Sequence, residues 1–180
     1  MRDYIKSIVE IINKASAEKN TDYFCLTRDI FQARLDSYIS HTGQYLLSAV
    51  IGEIGSNTFD HNWEYQKNQT RGVYFSYDDT NQIVLADFGR GVRESLAAVK
   101  KCESDLEAIK VAFTEQISGR APEQRGNGLK FVLESVKEKK WSLYFQSGGA
   151  CCIIENGNVE FLEEDGIFPG CIAVLKAGAA

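Results

Sequence analysis

Apolar residues recur along this chain at two spacings, every third or fourth residue and every second, and the changes between them mark out the elements. Over residues 3–18, Ile5, Ile8, Ile12 and Ala15 fall at helical spacing, with Arg2, Asp3, Lys6, Glu10 and Lys14 elsewhere. This predicts a helix that packs on its own domain or on a partner. Asn20, Thr21 and Asp22 break it, residues 23–26 suit a short strand, and a second helix carrying Phe31, Leu35 and Ile39 follows Thr27. His41-Thr42-Gly43 reads as a loop, with His41 solvated. Residues 45–62, YLLSAVIGEIGSNTFDHN, then read as one amphipathic helix with Leu47, Val50, Ile51 and Ile54 as its core stripe.

Residues 72–77 and 82–86 alternate as two strands around the turn Asp78-Asp79-Thr80-Asn81, which predicts a β-hairpin. Residues 94–117 are helix-compatible. Residues 118–128, SGRAPEQRGNG, have the composition of a loop, and a helix from Leu129 to about Lys139 turns Val132, Leu133 and Val136 inward. The remainder predicts strands over 141–146, 150–155, 159–162 and 171–176, with Asn156-Gly157 as a hairpin turn. Helices dominate the first half and strands lie mostly in hairpins. The expected class is α+β: a mixed, mostly antiparallel sheet with helices packed on one face, not a doubly wound parallel sheet.

Composition narrows the range of functions. With 180 residues, 44% hydrophobic, the chain can bury a sizeable core. A net charge of −5 argues against a general nucleic-acid binder or a protein of anionic membrane surfaces. There is no apolar run of membrane-spanning length, and the N-terminus has acids where a signal segment would be apolar, so the expected location is cytoplasmic. Cys25, Cys102, Cys151, Cys152 and Cys171 are odd in number and lack zinc-ligand spacing, so reduced, buried thiols are expected.

Three stretches carry candidate chemistry. Glu53, Asn57 and His61 are four apart, so on one α-helix they share a face at the edge of the apolar stripe. Partly buried carboxylates and amides need partners: neighbouring loops in the plainer reading, a phosphate-bound metal in the other. Asp87-Phe88-Gly89-Arg90-Gly91-Val92 ends a strand, and Gly126-Asn127-Gly128-Leu129 opens a helix after the 118–128 loop.

Each stretch alone is weak. In this order, over roughly 44–176, they resemble the GHKL ATP-binding superfamily, the Bergerat fold of gyrase-type topoisomerases, heat-shock chaperones, mismatch-repair proteins and sensor kinases. The resemblance implies ATP and Mg2+ as cofactors. Asn57 would be the metal ligand and Glu53 the catalytic base. Asp87 would accept the exocyclic amine of adenine, with Gly89 and Gly91 close to the base. Gly126, Gly128 and Leu129 would hold phosphate at a helix N-terminus. The 118–128 loop would be the lid, with Arg120 and Arg125 meeting the γ-phosphate or merely solvated. His61 would contact phosphate or support the site, and Lys130 carries no assigned role.

The pattern departs where many superfamily members carry Gly-Thr, the threonine supporting the adenine aspartate; here the place is Gly170-Cys171, and a thiol is a weaker hydrogen bonder. No GxxxxGK[ST] signature is present, which argues against a Walker-type NTPase. IVLADFGRGV also resembles the glycine turn of a class I methyltransferase, a reading that requires a β-α-β crossover. The resemblance implies a division into a helical extension, 1–43, as a packing, partner or homodimer surface, and an ATP-binding domain, 44–180. Within the superfamily it looks most like stand-alone anti-sigma serine kinases. The resemblance implies a Mg-ATP-dependent serine/threonine protein kinase or slow ATPase acting on a small regulatory protein, or a non-catalytic, nucleotide-gated binding module.

Overall fold

In the computed structural model, which describes residues 2–62, 72–116 and 128–178, five antiparallel strands form one sheet in the order β1-β2-β3-β5-β4. The strands are β1 (Phe24–Cys25), β2 (Val73–Tyr77), β3 (Gln82–Asp87), β4 (Ser142–Glu155) and β5 (Asn158–Lys176). The helices are α1 (Arg2–Ala17), α2 (Arg28–Thr42), α3 (Tyr45–Asn57), α4 (Gly91–Leu96), α5 (Asp105–Thr114) and α6 (Gly128–Glu138). The class is α+β, as the patterning predicts. No pair in the described sheet is parallel, and a β-α-β crossover needs one, so the methyltransferase-like alternative is overturned.

Alternation along the strands divides the core in two. Val73, Phe75, Ile83, Leu85, Leu143, Phe145, Ala173 and Leu175 face a layer built from α2, α3, α5 and α6. Tyr74, Val84, Ala86, Tyr144, Ile172 and Val174 point the other way, where Ile5, Ile8, Ile12 and Ala15 of α1 cover them. The α1 stripe is therefore core, and residues of the 1–43 segment enter both layers: β1 pairs with β2, and Phe31, Leu35 and Tyr38 of α2 are buried. Cys152 joins the helical layer and Cys151 the α1 layer, as expected of neighbours on a strand.

Several local signals act as read. The Thr27 hydroxyl accepts from the Ile30 N–H at 3.4 Å and caps α2. Asn156 (φ 51°) and Gly157 (φ 81°) both adopt the left-handed conformation of a type I′ turn. Others differ. The second helix runs through His41 to Thr42, and His41 sits in its last turn with Nδ1 at 2.7 Å from the Ser37 carbonyl, so it is not a loop residue. The four C-terminal strand segments merge into one long hairpin whose register slips between Ser147 and Ala150. Gln146 fills that irregularity: its Nε2 donates to the Gly148 and Gly166 carbonyls at 3.1 and 2.8 Å, and its Oε1 accepts from the Tyr144 hydroxyl at 2.8 Å.

Candidate functional site

The central helix is α-helical only to Asn57; Thr58–Asn62 form a π-helical turn. Leu47, Val50, Ile51 and Ile54 are buried as the spacing predicts. Thr58, four residues after Ile54, continues that stripe and is buried at 2% exposure. Arg28 fastens the wider turn to the start of α2: it bonds Asp60 Oδ1 at 2.7 Å and lies over the Phe59 ring, 5.5 Å from its centre. In a π turn the backbone hydrogen bonds span five residues rather than four, so the helix widens between Asn57 and His61. Glu53 and His61 are exposed and Asn57 is half-buried. Within the described residues neither Glu53 nor Asn57 makes a side-chain hydrogen bond.

Asp87 ends β3 at 3% exposure. Its Oδ2 accepts from the Thr58 hydroxyl at 3.1 Å and its Oδ1 from the Gly89 N–H at 2.8 Å. A buried carboxylate is tolerable only with such donors. Cys171 stands directly opposite Asp87 in the β3–β5 register, and its side chain packs against the same core layer. The sequence thus locates residue 171 beside the aspartate, but the hydroxyl bonded to Asp87 comes from the helix. Thr58 is not among the residues that spacing along the helix picks out, Glu53, Asn57 and His61, although one signal marks it: a hydroxyl on an apolar stripe must find a partner.

After Asp87 the chain turns into α4. Gly91 has φ 76°, and a Cβ there would meet Ser147 Oγ at 2.8 Å, so the turn requires glycine. Ser147 holds it in place, accepting from the Val92 N–H at 2.9 Å and donating to the Gly170 carbonyl at 2.8 Å. The turn itself lines a cleft of about 240 Å³, with Gly89, Arg90, Gly91, Asp105, Ser147 and Ile167 in its wall; neither Asp87 nor Asn57 lines it.

Gly128 opens α6, and Leu129 is half-buried in its first turn. The Glu53 carboxylate lies against that helix start: a Cβ on Gly128 would come within 2.5 Å of Glu53 Oε2. Arg120, Arg125 and Gly126 lie outside the described residues. The contacts therefore join three stretches far apart in the chain: Glu53 touches Gly128, and Thr58, five residues on, holds Asp87.

No cluster of three or more His, Cys, Asp or Glu side chains among the described residues could hold a metal ion. A magnesium at Asn57 would thus need ligand oxygens and water to complete its shell. That donor set suits magnesium, which dehydrates reluctantly. Burial pushes the thiols of Cys151 and Cys152 up to about 12, with Glu164, which accepts from Cys151 at 3.1 Å, adding to the shift at Cys151. None of the five cysteines forms a disulfide, and Cys171 alone is half-buried rather than buried. No described helix is long and apolar enough to cross a membrane.

No protein-family model matches the chain, and no curated protein does. Among solved structures, the fold is similar to a topoisomerase IV ATP-binding domain of Francisella tularensis in complex with a small-molecule inhibitor, with 16% sequence identity and a TM-score of 0.41. The match covers 72% of this chain and 62% of that one. A likeness of that degree carries no weight for what this chain binds.

Proposed function

We propose that the protein binds magnesium-ATP in the manner of the GHKL superfamily and uses it as a serine/threonine protein kinase or slow ATPase acting on a small protein partner. One observation carries the reading: the contacts of Glu53 with Gly128 and of Thr58 with Asp87 draw the three motif stretches to one region. In this reading Asp87 accepts the exocyclic amine of adenine. A buried acceptor built for an amine discriminates against guanine, which presents a carbonyl there. Asn57 offers its amide oxygen to magnesium, and the first turn of α6 presents backbone N–H groups to phosphate. Magnesium, when bound, would neutralise charge on the phosphate oxygens. Glu53, exposed beside that helix start, orients a water or a substrate hydroxyl and takes its proton.

The deciding measurement is titration with ATP and GTP, with and without magnesium, of the native chain, Asp87→Asn and Asn57→Ala. Magnesium-dependent binding that prefers ATP and is lost in both variants is the expected result. Absence of binding by the native chain overturns the reading. Transfer is tested separately with labelled ATP and candidate partner proteins, where Glu53→Gln should abolish labelling. The second reading, a nucleotide-gated binding module without turnover, is favoured by one feature: no described side chain hydrogen-bonds Glu53 to aim it as a base. Tight ATP binding with ATP-dependent partner capture and no phosphate release would select it.

A further inference from the structure

We propose that Thr58 is the positioning residue that sets the adenine specificity of Asp87 from the end of α3. The inference rests on the ATP-binding reading above. Asp87 has two carboxylate oxygens, and the fold commits a donor to each: the Thr58 hydroxyl on Oδ2 and the Gly89 N–H on Oδ1. Those two bonds fix the rotation of the carboxylate plane. A carboxylate offers about four lone-pair sites, more than these two donors use.

Thr58 is suited to the task by its place. It is 2% exposed and four residues beyond Ile54, so the apolar stripe of α3 holds its backbone. It begins the π turn, whose far side is tied down by the Arg28–Asp60 pair. Opposite Asp87 on β5 stands Cys171, a weak donor. The hydroxyl bonded to Asp87 therefore comes from the helix, next to the residue proposed to meet magnesium. One turn of chain then positions both the base-reading carboxylate and the phosphate end of the site.

The test compares the full chain with Thr58→Val, Thr58→Ser and Cys171→Ala in titrations with magnesium-ATP and with magnesium purine riboside triphosphate, which lacks only the exocyclic amine. Native protein should prefer ATP. Thr58→Val should weaken ATP binding by about tenfold, the scale of one charge-assisted hydrogen bond, while the amine-free nucleotide shifts by less than about twofold. Thr58→Ser, which keeps the hydroxyl, should retain the preference, and Cys171→Ala should reduce it less than Thr58→Val does. Equal weakening of both nucleotides in Thr58→Val, a preference that survives it, or a larger loss in Cys171→Ala overturns the proposal while leaving ATP binding intact. Failure of the native chain to bind either nucleotide instead overturns the reading on which it rests. Should Thr58→Val not fold by circular dichroism, Thr58→Ala carries the same comparison, removing the hydroxyl without adding a methyl group to the packed site.

Discussion

Gly128 and Glu53 meet so closely that a single methyl group separates two outcomes. In Gly128→Ala the new Cβ displaces the end of a flexible, exposed side chain, and alanine favours a helix over glycine by at most about 1 kcal/mol. The expected result is an unfolding free energy within ~1 kcal/mol of native and, on the proposed function, magnesium-ATP binding weakened by about tenfold or more. Native behaviour in both assays would remove the Glu53–Gly128 contact from the site. The paired cysteines give a pH signature. Their folded pKa values are raised, so Cys151 and Cys152 contribute stability that is present below the ordinary thiol pKa of 9.0 and is lost as pH climbs towards about 12. Urea midpoints should therefore fall above pH 9, and the alkaline fall should be shallower in Cys152→Ala; an unchanged slope would count against burial as the cause. At this scale Asp87 and the glycines of its turn were legible because their types stand out at the end of a strand. Thr58 was not, because a threonine among apolar neighbours looks like any small core residue until its partner, 29 positions away, is seen.

The elements were legible where one spacing persists and obscure where tertiary contacts override it. The α1 stripe, the hairpin of β2 and β3, and α6 follow their periodicity. The π turn does not, since Thr58–Asn62 keep the composition of a helix end and only the anchoring of Asp60 and Phe59 by Arg28 reveals the extra residue in the turn. The helix-compatible run after Arg93 splits into α4 and α5. Ser104 accepts from the Glu107 N–H at 3.1 Å, and this N-cap restarts the helix after a break over 97–104. Packing between α2 and α3 depends on Gly55, where a Cβ would enter the Phe31 ring. That ring is 1% exposed and held edge-on by Phe75, so it cannot yield easily. Gly55→Ala should cost ~1–3 kcal/mol from overpacking, offset by no more than ~1 kcal/mol of helix propensity. Urea unfolding at constant m-value is the measurement, and a gain in stability would refute the packing account.

At the scale of the whole molecule, α1 closes one side of the sheet. Three of its isoleucines are buried there, each contributing at most ~1.5–3 kcal/mol, a sum comparable to the ~5–15 kcal/mol that holds a typical domain together. Ile12→Asp should therefore unfold the protein or lower its melting temperature sharply. Ile11→Asp, one residue along at 57% exposure, should leave it within ~0.5 kcal/mol of native. Similar melting temperatures for the two would mean that α1 does not cover the sheet in solution. The order of the strands has a further consequence, for how the molecule comes to exist. β5 is inserted between β3 and β4, and Gln82 finds its partner at Lys176, across nearly the whole intervening sequence. Until that strand leaves the ribosome, β3 presents an open, strongly apolar edge, and the Asp87 carboxylate lies at the end of an unfinished sheet. Closure waits on contacts of long sequence separation, which makes folding slow and the nascent chain a natural client for chaperones.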